Sequence, residues 1–405
     1  PGNPDIKYYY PTNDLITAPE ILFFWVARMI IAGYEYMGDK PFRNVYLTGL
    51  VRDQYRRKMS KSLGNSPEPL ELIEKYGADG VRVGMMLCSP AGNDLLYDDS
   101  LPEQGRNFAN KIWNAFRLVK SWKVDDAISQ PEYCSIAVKW MNEVLKKAVA
   151  ETDTCFRKFR ISEALMVSYR LFWDEFSGWF LEIIKPPFKS PVDRQTYNAA
   201  ITVFDQLLRL IHPFMPFITE EIWHMLEERK EGESLMISRM PETRKADRKL
   251  TDQFEYVKEI ISSIRTIRAD KQIPRDEKIE LLIKQNGDDF YSEYIPVIVR
   301  MAGLSRAEIV TAKQEGTASF MVKTTEFYVP LGSKLDTESE RTRIKTDLDY
   351  YRGFLESVMK KLNNEKFMMN APAEVKELEM KKKNDAETKI RSLEEALKLL
   401  EKSQS

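Results

Sequence analysis

The stretch "GLVRDQYRRKMSKSLGN" runs from Gly49 to Asn65 and sets five cations, Arg52, Arg56, Arg57, Lys58 and Lys61, against one acid, Asp53. It overlaps the end of "NVYLTGLV" (44–51), a short run rich in β-formers and bounded by turn chemistry, which reads as a buried strand. Ser60 and Ser62 flank Lys61, and Gly64 follows. A lysine-rich loop at a strand end can close over polyphosphate, its ammonium groups offsetting the charge that builds as pyrophosphate leaves. Small residues let the backbone approach closely. A solvated surface loop has much the same composition, so the loop's surroundings must separate the two readings.

Those surroundings are α/β in character. "EILFFWVARMIIAGYEYMG" (20–38) is long and apolar enough to predict a buried helix, and "PEPLELIEKYGADGVRVGMMLC" (67–88) predicts one helix ending at Gly77 and another beginning near Asp79. From residue 101 to 245 turn signals thin out and helical periods dominate. Phe108, Ile112, Phe116 and Val119 share one face, and four or five long amphipathic helices make a bundle, with Pro213 and Pro216 breaking or kinking the last. Residues 246–335 return to α/β. A helix near 251–270 leads to a strand at 278–284, a helix at 290–302 and short strands at "AEIV", "ASFMVKT" and "TEFYVPLG".

The last segment, 336–405, predicts two long helices around a turn near Asn370 and Pro372. Ile344, Leu348, Tyr351, Leu355, Val358 and Leu362 alternate by fours and threes, and Ala386, Ile390, Leu393, Leu397 and Leu400 do the same, with Lys381 to Asp385 interrupting the seam. The expectation is an antiparallel hairpin; a homodimeric coiled coil is the other reading of this pattern.

The composition narrows the function classes. A chain of 405 residues suits two to four domains. Its net charge of −1 means that nucleic-acid contact must come from local basic patches. Cys88, Cys134 and Cys155 lie far apart with no CxxC pair, so they read as reduced thiols in a cytosolic protein with no protein-bound metal. No apolar run has membrane-spanning length, and the start "PGNPDIKYYYPTNDL" reads as an internal cut and not as a signal peptide.

"KMSKS" (58–62) matches, letter for letter, the second signature of class I aminoacyl-tRNA synthetases. With "FFWVARM" (23–29), "GLVRD" (49–53), "YGADGVR" (76–82), "RNFANKIWNAFR" (106–117) and "HPFMPFITEEIW" (212–223), the chain resembles the Val/Ile/Leu branch over nearly its whole length. The closing hairpin with "NEKFMMNAPAEV" (364–375) at its turn resembles the valine-specific members, whereas isoleucine-specific members typically end in a cysteine zinc module.

The resemblance implies a multidomain chain. Residues 1–100 would be the C-terminal part of a Rossmann-like catalytic fold, 101–245 an all-α anticodon-binding bundle, 246–335 a small α/β linker and 336–405 a coiled-coil tRNA-binding arm. It implies valine, ATP with Mg2+ and a valine-accepting tRNA, tRNA(Val), as partners of a cytoplasmic monomer that joins valine to ATP and passes the acyl group to tRNA.

Individual roles follow in the same way. Lys61, supported by Lys58, would meet the phosphates and the activation transition state. Met59, Ser60 and Ser62 complete the ATP loop. Trp25 would wall the amino-acid pocket, unless it is a core tryptophan. Glu20 stands where relatives hold ribose with Asp in a Gly-x-Asp sequence; here the stretch is Ala18-Pro19-Glu20, so the glycine is lost. Thr48 stands where His is common. Arg106, Lys111, Arg157, Lys158 and Arg160 on the bundle, and Lys381, Lys382 and Lys383 with Lys360, Lys361 and Lys366 on the arm, are candidates for RNA contact, as are ordinary solvated faces.

The first signature of the class, His-x-Gly-His, is not in the chain. Its two histidines, His212 and His224, sit in the bundle. Three readings stay open: a valine–tRNA ligase fragment, a non-catalytic tRNA-binding fragment or paralogue, and an isoleucine enzyme.

Overall fold

The structure, a computed structural model, describes residues 2–87, 94–285, 291–312, 316–331, 337–364, 367, 369 and 371–402; Cys88, Lys366 and Asn370 lie outside them, and of Lys61 only the backbone course is described. The chain divides into two compact units, 1–247 and 248–405.

In the first unit, α1 (Pro4–Tyr9) is capped by Asn3, whose side chain accepts from the Asp5 N–H at 2.9 Å. β1 (Thr12–Thr17) pairs in parallel with β2 (Phe42–Leu47), from Thr12 opposite Phe42 to Thr17 opposite Leu47. Parallel neighbours need a crossover, and residues 19–37 supply it: a 3₁₀ turn, then α2 (Ala27–Ala32) between two π-helical stretches. The helix is where the sequence puts it but it is not buried. Only Val26 and Gly33 are covered, while Phe23 is 83% exposed, Trp25 57% and Tyr36 83%. The run is apolar on every side, and the crossover packs only one of them.

The strand expected at 44–51 ends at Leu47, and a separate short β3 (Val51–Arg52) pairs in parallel with β4 (Leu95–Leu96). Between these two lie the basic loop, α3 (Pro69–Tyr76) and α4 (Ala78–Leu87). Gly77 ends α3 with φ of 77°, a conformation other residues resist. α5 (Ser100–Lys120) crosses α4 backbone against backbone. A Cβ added at Gly105 would stand 2.2 Å from the Gly80 carbonyl oxygen, and one at Gly84 2.5 Å from the Pro102 nitrogen.

The bundle continues through a small bridge of β5 (Val124–Asp125) with β6 (Val192–Asp193). Its helices are α6 (Glu132–Arg157), α7 (Ile161–Arg170), a π-helical run 171–180, α8 (Leu181–Ile184), α9 (Arg194–Ile211) and α10 (Pro216–Leu226). Phe108, Ile112, Phe116 and Val119 are all buried, as their spacing requires. Phe108, Phe172, Phe176 and Phe204 form an aromatic core with edge-to-face contacts, Phe176 and Phe204 lying at 90°. α9 stops at Ile211, and Pro216 opens α10 at a position where a missing N–H costs nothing. Cys134 and Cys155 are buried, and neither is in a disulfide.

The second unit starts with α11 (Arg248–Asp270). β7 (Ile279–Lys284), α12 (Ile295–Ala302), β8 (Leu304–Val310), β9 (Thr317–Val322) and β10 (Thr325–Pro330) follow. The sheet order is β8-β7-β10-β9, with β7–β8 parallel and the other pairs antiparallel. α13 (Thr337–Leu362) and α14 (Ala373–Lys402) close the unit. Ile344 and Leu348 are buried against Ile390, Leu393 and Leu397. Arg352 reaches Glu394 at 2.6 Å and Lys361 lies 3.9 Å from Glu379, so the helices run in opposite directions. Ser392 of α14 donates to the buried Glu326 of β10 at 2.5 Å, tying the helix pair to the sheet.

The glycine crossing makes a directional prediction. Gly105→Ala forces a methyl into a backbone carbonyl and should cost about 1–3 kcal/mol, the usual penalty of overpacking. Gly353→Ala meets nothing within 4 Å inside α13. It should raise stability by up to about 1 kcal/mol through helix propensity alone. Thermal unfolding of the two variants beside the parent checks both signs; an unchanged midpoint for Gly105→Ala would refute the close crossing.

Candidate nucleotide loop and helical interface

The basic loop is organised by its one acid. Asp53 is only 7% exposed. Its Oδ1 accepts from the Tyr55 N–H at 3.0 Å and the Arg57 N–H at 2.9 Å; its Oδ2 accepts from Arg57 Nε at 2.8 Å and Asn65 Nδ2 at 3.0 Å. Burial alone would raise the pKa of this carboxyl. The Asn65 amide, the Arg57 backbone and the Arg57 guanidinium outweigh burial and hold it at about 2.

Asn65 then reaches the signature itself. Its Oδ1 accepts from the Ser60 N–H at 2.9 Å, and its Nδ2 also donates to the Lys58 carbonyl at 3.3 Å. Ser60 and Ser62 share a hydroxyl contact of 2.6 Å. Arg56 at φ 64° and Gly64 at φ 63° make the two left-handed bends. Lys58 forms a bridge to Arg52 at the end of β3, and the Arg52 guanidinium pairs with Asp94 beside β4.

Arg52 and Arg57 are thus engaged in structure, while Arg56 and Lys58 stay exposed and Met59 and Ser60 are half-buried. Lys58, Met59, Ser60 and Ser62 are gathered in one loop. Glu20 and Trp25 lie on the β1–β2 crossover, with no hydrogen bond to that loop among the described residues. Trp25 is 57% exposed in this chain.

Two other sequence motifs meet. Asp79, from "YGADGVR", is buried and accepts from the Phe217 N–H at 3.3 Å and the Ile218 N–H at 2.7 Å, at the start of α10. Arg82, from the same motif, donates to the Pro213 and Phe214 carbonyls at 3.0 and 3.2 Å. Burial raises the Asp79 pKa against the pull of the two N–H groups, Arg82 and His212. His212 Nδ1 and Thr219 Oγ1 stand 2.8 Å apart, and desolvation lowers the histidine's pKa. The sequence named both motifs but not their contact.

The candidate RNA-facing cations are largely paired. Arg106 bonds Glu103 at 3.2 Å and lies over the Tyr76 ring; Lys111 lies 5.3 Å from the Trp173 centroid, and Trp173 stacks on Tyr169. Arg157 pairs with Asp153 and Arg160 with Glu163, while Lys158 is exposed between them. Phe159, in that same corner, lies against Tyr46 of β2 at 6.1 Å. On the arm, Lys382 pairs with Glu379 at 2.6 Å and Lys383 with Glu387 at 3.8 Å; Lys381 is exposed.

Comparison with known proteins finds three family matches along the chain. Residues 2–98 match the family described as tRNA synthetases class I (I, L, M and V), 138–283 the anticodon-binding domain of tRNA ligase, and 336–401 the valyl tRNA synthetase tRNA binding arm. The chain belongs to the class I aminoacyl-tRNA synthetase family. Within it, the relatives are valine--tRNA ligases. The chain is 57% identical to that of Parabacteroides distasonis over 402 residues, covering 99% of this chain and 46% of that protein. It is 55% identical to the Bacteroides thetaiotaomicron enzyme (100% and 46%) and 36% identical to the Thermotoga maritima enzyme (98% and 46%). The chain thus spans about half the length of the curated relatives it matches.

The Asp53 geometry sets a pH expectation. A carboxyl held at about 2 against an ordinary 3.8 stabilises its surroundings above 3.8, and loses that contribution as the pH falls through about 2. Carboxyl-carbon NMR titration of labelled aspartate should find this low midpoint, and Asn65→Ala should move it upward. A midpoint that ignores Asn65→Ala would mean that the amide contact is not made.

Proposed function

We propose that this chain is the part of a valine–tRNA ligase that carries the second class I signature and the tRNA-binding segments. The observation that carries the reading is the "KMSKS" loop, shaped around Asp53 and Asn65 at the exit of β3, in a chain so close to valine enzymes. The parent reaction joins valine to ATP, supplied with Mg2+ as substrate, and transfers the valyl group to the tRNA(Val) 3′ end. Lys61 and Lys58 offset the charge that develops on the departing pyrophosphate. Met59, Ser60 and Ser62 shape that loop, Trp25 walls the amino-acid pocket and Glu20 approaches the ribose.

The exposed apolar crossover of residues 19–37 packs, on this reading, against the remainder of a full-length ligase. The bundle receives the anticodon stem and loop, with unpaired bases stacking on aromatic rings. Arg106, Lys111, Arg157, Lys158 and Arg160 are the candidate contacts there. Residues 246–335 link the bundle to an antiparallel coiled-coil arm over 336–405. The protein works as a cytoplasmic monomer. Among the readings left open by sequence, isoleucine is the less favoured, because the C-terminal segment matches the valyl arm.

The test is valine-dependent pyrophosphate exchange in a full-length ligase whose C-terminal part is this chain. Lys61→Ala should lower the rate by about 10²–10³-fold, roughly 3–4 kcal/mol, with little change in valine affinity. Lys58→Ala should cost less, and the 405-residue chain alone should give no exchange. An unaltered rate in Lys61→Ala would return the loop to a solvated surface feature; exchange by the isolated chain would refute the division of the site.

The arm should bind RNA without choosing it, because lysines such as Lys360, Lys361 and Lys381 reach phosphates and phosphate contacts carry little sequence information. Deleting 336–405 should raise the Michaelis constant for tRNA and flatten its salt dependence while pyrophosphate exchange stays near normal. Aminoacylation across a salt series measures this, and an unchanged tRNA constant would make the arm a structural brace.

A further inference from the structure

We propose that Asp53 and Asn65 are positioning residues for amino-acid activation, forming a two-residue root that fixes where the signature lysines stand. The inference rests on the reading of the loop as the phosphate-facing element and adds to it the side chains that hold the loop's shape.

The geometry is that of a closed ring. The loop leaves β3 at Asp53 and returns at Asn65, and a hydrogen bond of 3.0 Å between the two side chains joins exit to return. Asp53 also gathers the Tyr55 and Arg57 N–H groups, which fixes the first bend at Arg56. Asn65 spans the first half of the signature, giving an N–H to the Lys58 carbonyl and taking the Ser60 N–H. It therefore serves Lys58 and Ser60 as a substitute strand partner and leaves only Met59 between its two contacts.

Above this root, the short turn of residues 61–63 has no strand or long helix of its own to set its direction. The direction is inherited from Asn65. A group that acts on developing charge must be placed accurately, and a misplacement of about 1 Å can cost about 10²-fold in rate. Substrate affinity depends on such accuracy far less, so disturbing the root should act on the rate.

The roles also separate chemically. Asp53 lies at the base, almost wholly covered, and is spent on internal donors. Asn65 uses both ends of its amide, one as donor and one as acceptor, so neither an acid nor an apolar residue can replace it. Asn65→Asp would set a second carboxylate against Asp53.

The experiment uses the full-length ligase that contains this chain. Asn65→Ala and Asn65→Asp should each lower kcat for valine-dependent pyrophosphate exchange by about 10²-fold, with the valine KM within about twofold. Transfer of valine from preformed adenylate to tRNA should stay within about twofold, because pyrophosphate has already left before that step.

A variant that unfolds at the parent's temperature yet loses exchange and transfer together is disturbed beyond the phosphate-facing step, which overturns a positioning role. Exchange at the parent rate in both Asn65 variants also overturns it. Lys61→Ala, run alongside, keeps the two readings apart. Slow exchange there with normal Asn65 variants defeats the positioning inference alone, while normal exchange in Lys61→Ala defeats the reading on which it rests.

Discussion

A buried carboxylate at a helix start fixes the frame of the first unit. Asp79 has left water, a cost that only hydrogen bonds can offset. It meets the first free N–H groups of α10, where the helix dipole favours negative charge. Pro216 leaves the cap no N–H to satisfy at the preceding position. Three residues further along α4, Arg82 takes the Pro213 and Phe214 carbonyls in the break before α10, so donors and acceptors of one turn are matched from one helix. The glycine crossing then sets how near α4 can lie to α5. Together these contacts put the helix that follows the basic loop and the helical bundle in one frame.

Within that frame the loop's charge is divided by residue type. Five like charges in seventeen residues repel one another, and a chain that simply exposed them would splay. Arg57 turns its guanidinium to Asp53, Arg52 to Asp94 and to the Arg56 carbonyl. Two of the planar, directional cations, Arg52 and Arg57, are used for architecture, and Arg56 and the compact ammonium of Lys58 are left to solvent. Composition gives the sum of these charges; the fold decides which of them remain available.

Much of this was legible in the chain itself. Heptad spacing found Ile344, Leu348 and Val358, and the helical period found Phe108, Ile112, Phe116 and Val119, because burial follows a local period. Gly77 and Pro216 marked helix ends because their backbones allow little else there. The contacts that position the loop were not legible. Asp53 was visible as a lone acid, but its bond to Asn65 spans twelve positions, and the Asp79 cap spans 139. No local pattern encodes such separations. The crossover of residues 19–37 misled for a related reason: an apolar helix predicts a covering surface without saying which chain segment supplies it.

In the second unit, too, a charged residue settles what an apolar pattern leaves open. Counting back along the seam from Ala386 leads to Lys383 and Glu379, so the interruption seen in sequence falls on the interface itself. Glu379 is 5% exposed there, with Lys382 at 2.6 Å on its own helix and Lys361 at 3.9 Å on the other. The Lys382 hydrogen bond and the nearby lysine charges lower its pKa and keep it ionised. Further along, Lys389 donates to the Tyr351 hydroxyl at 3.1 Å, a further polar tie across the pair beside Arg352 and Glu394. An unbroken row of leucines could slide by one heptad and still bury apolar surface. A buried glutamate cannot, because a slip takes it away from Lys361 and leaves a covered charge with one partner fewer. The interruption gives up some apolar contact and in return defines a single register, which is what an arm of two long, thinly packed helices most lacks.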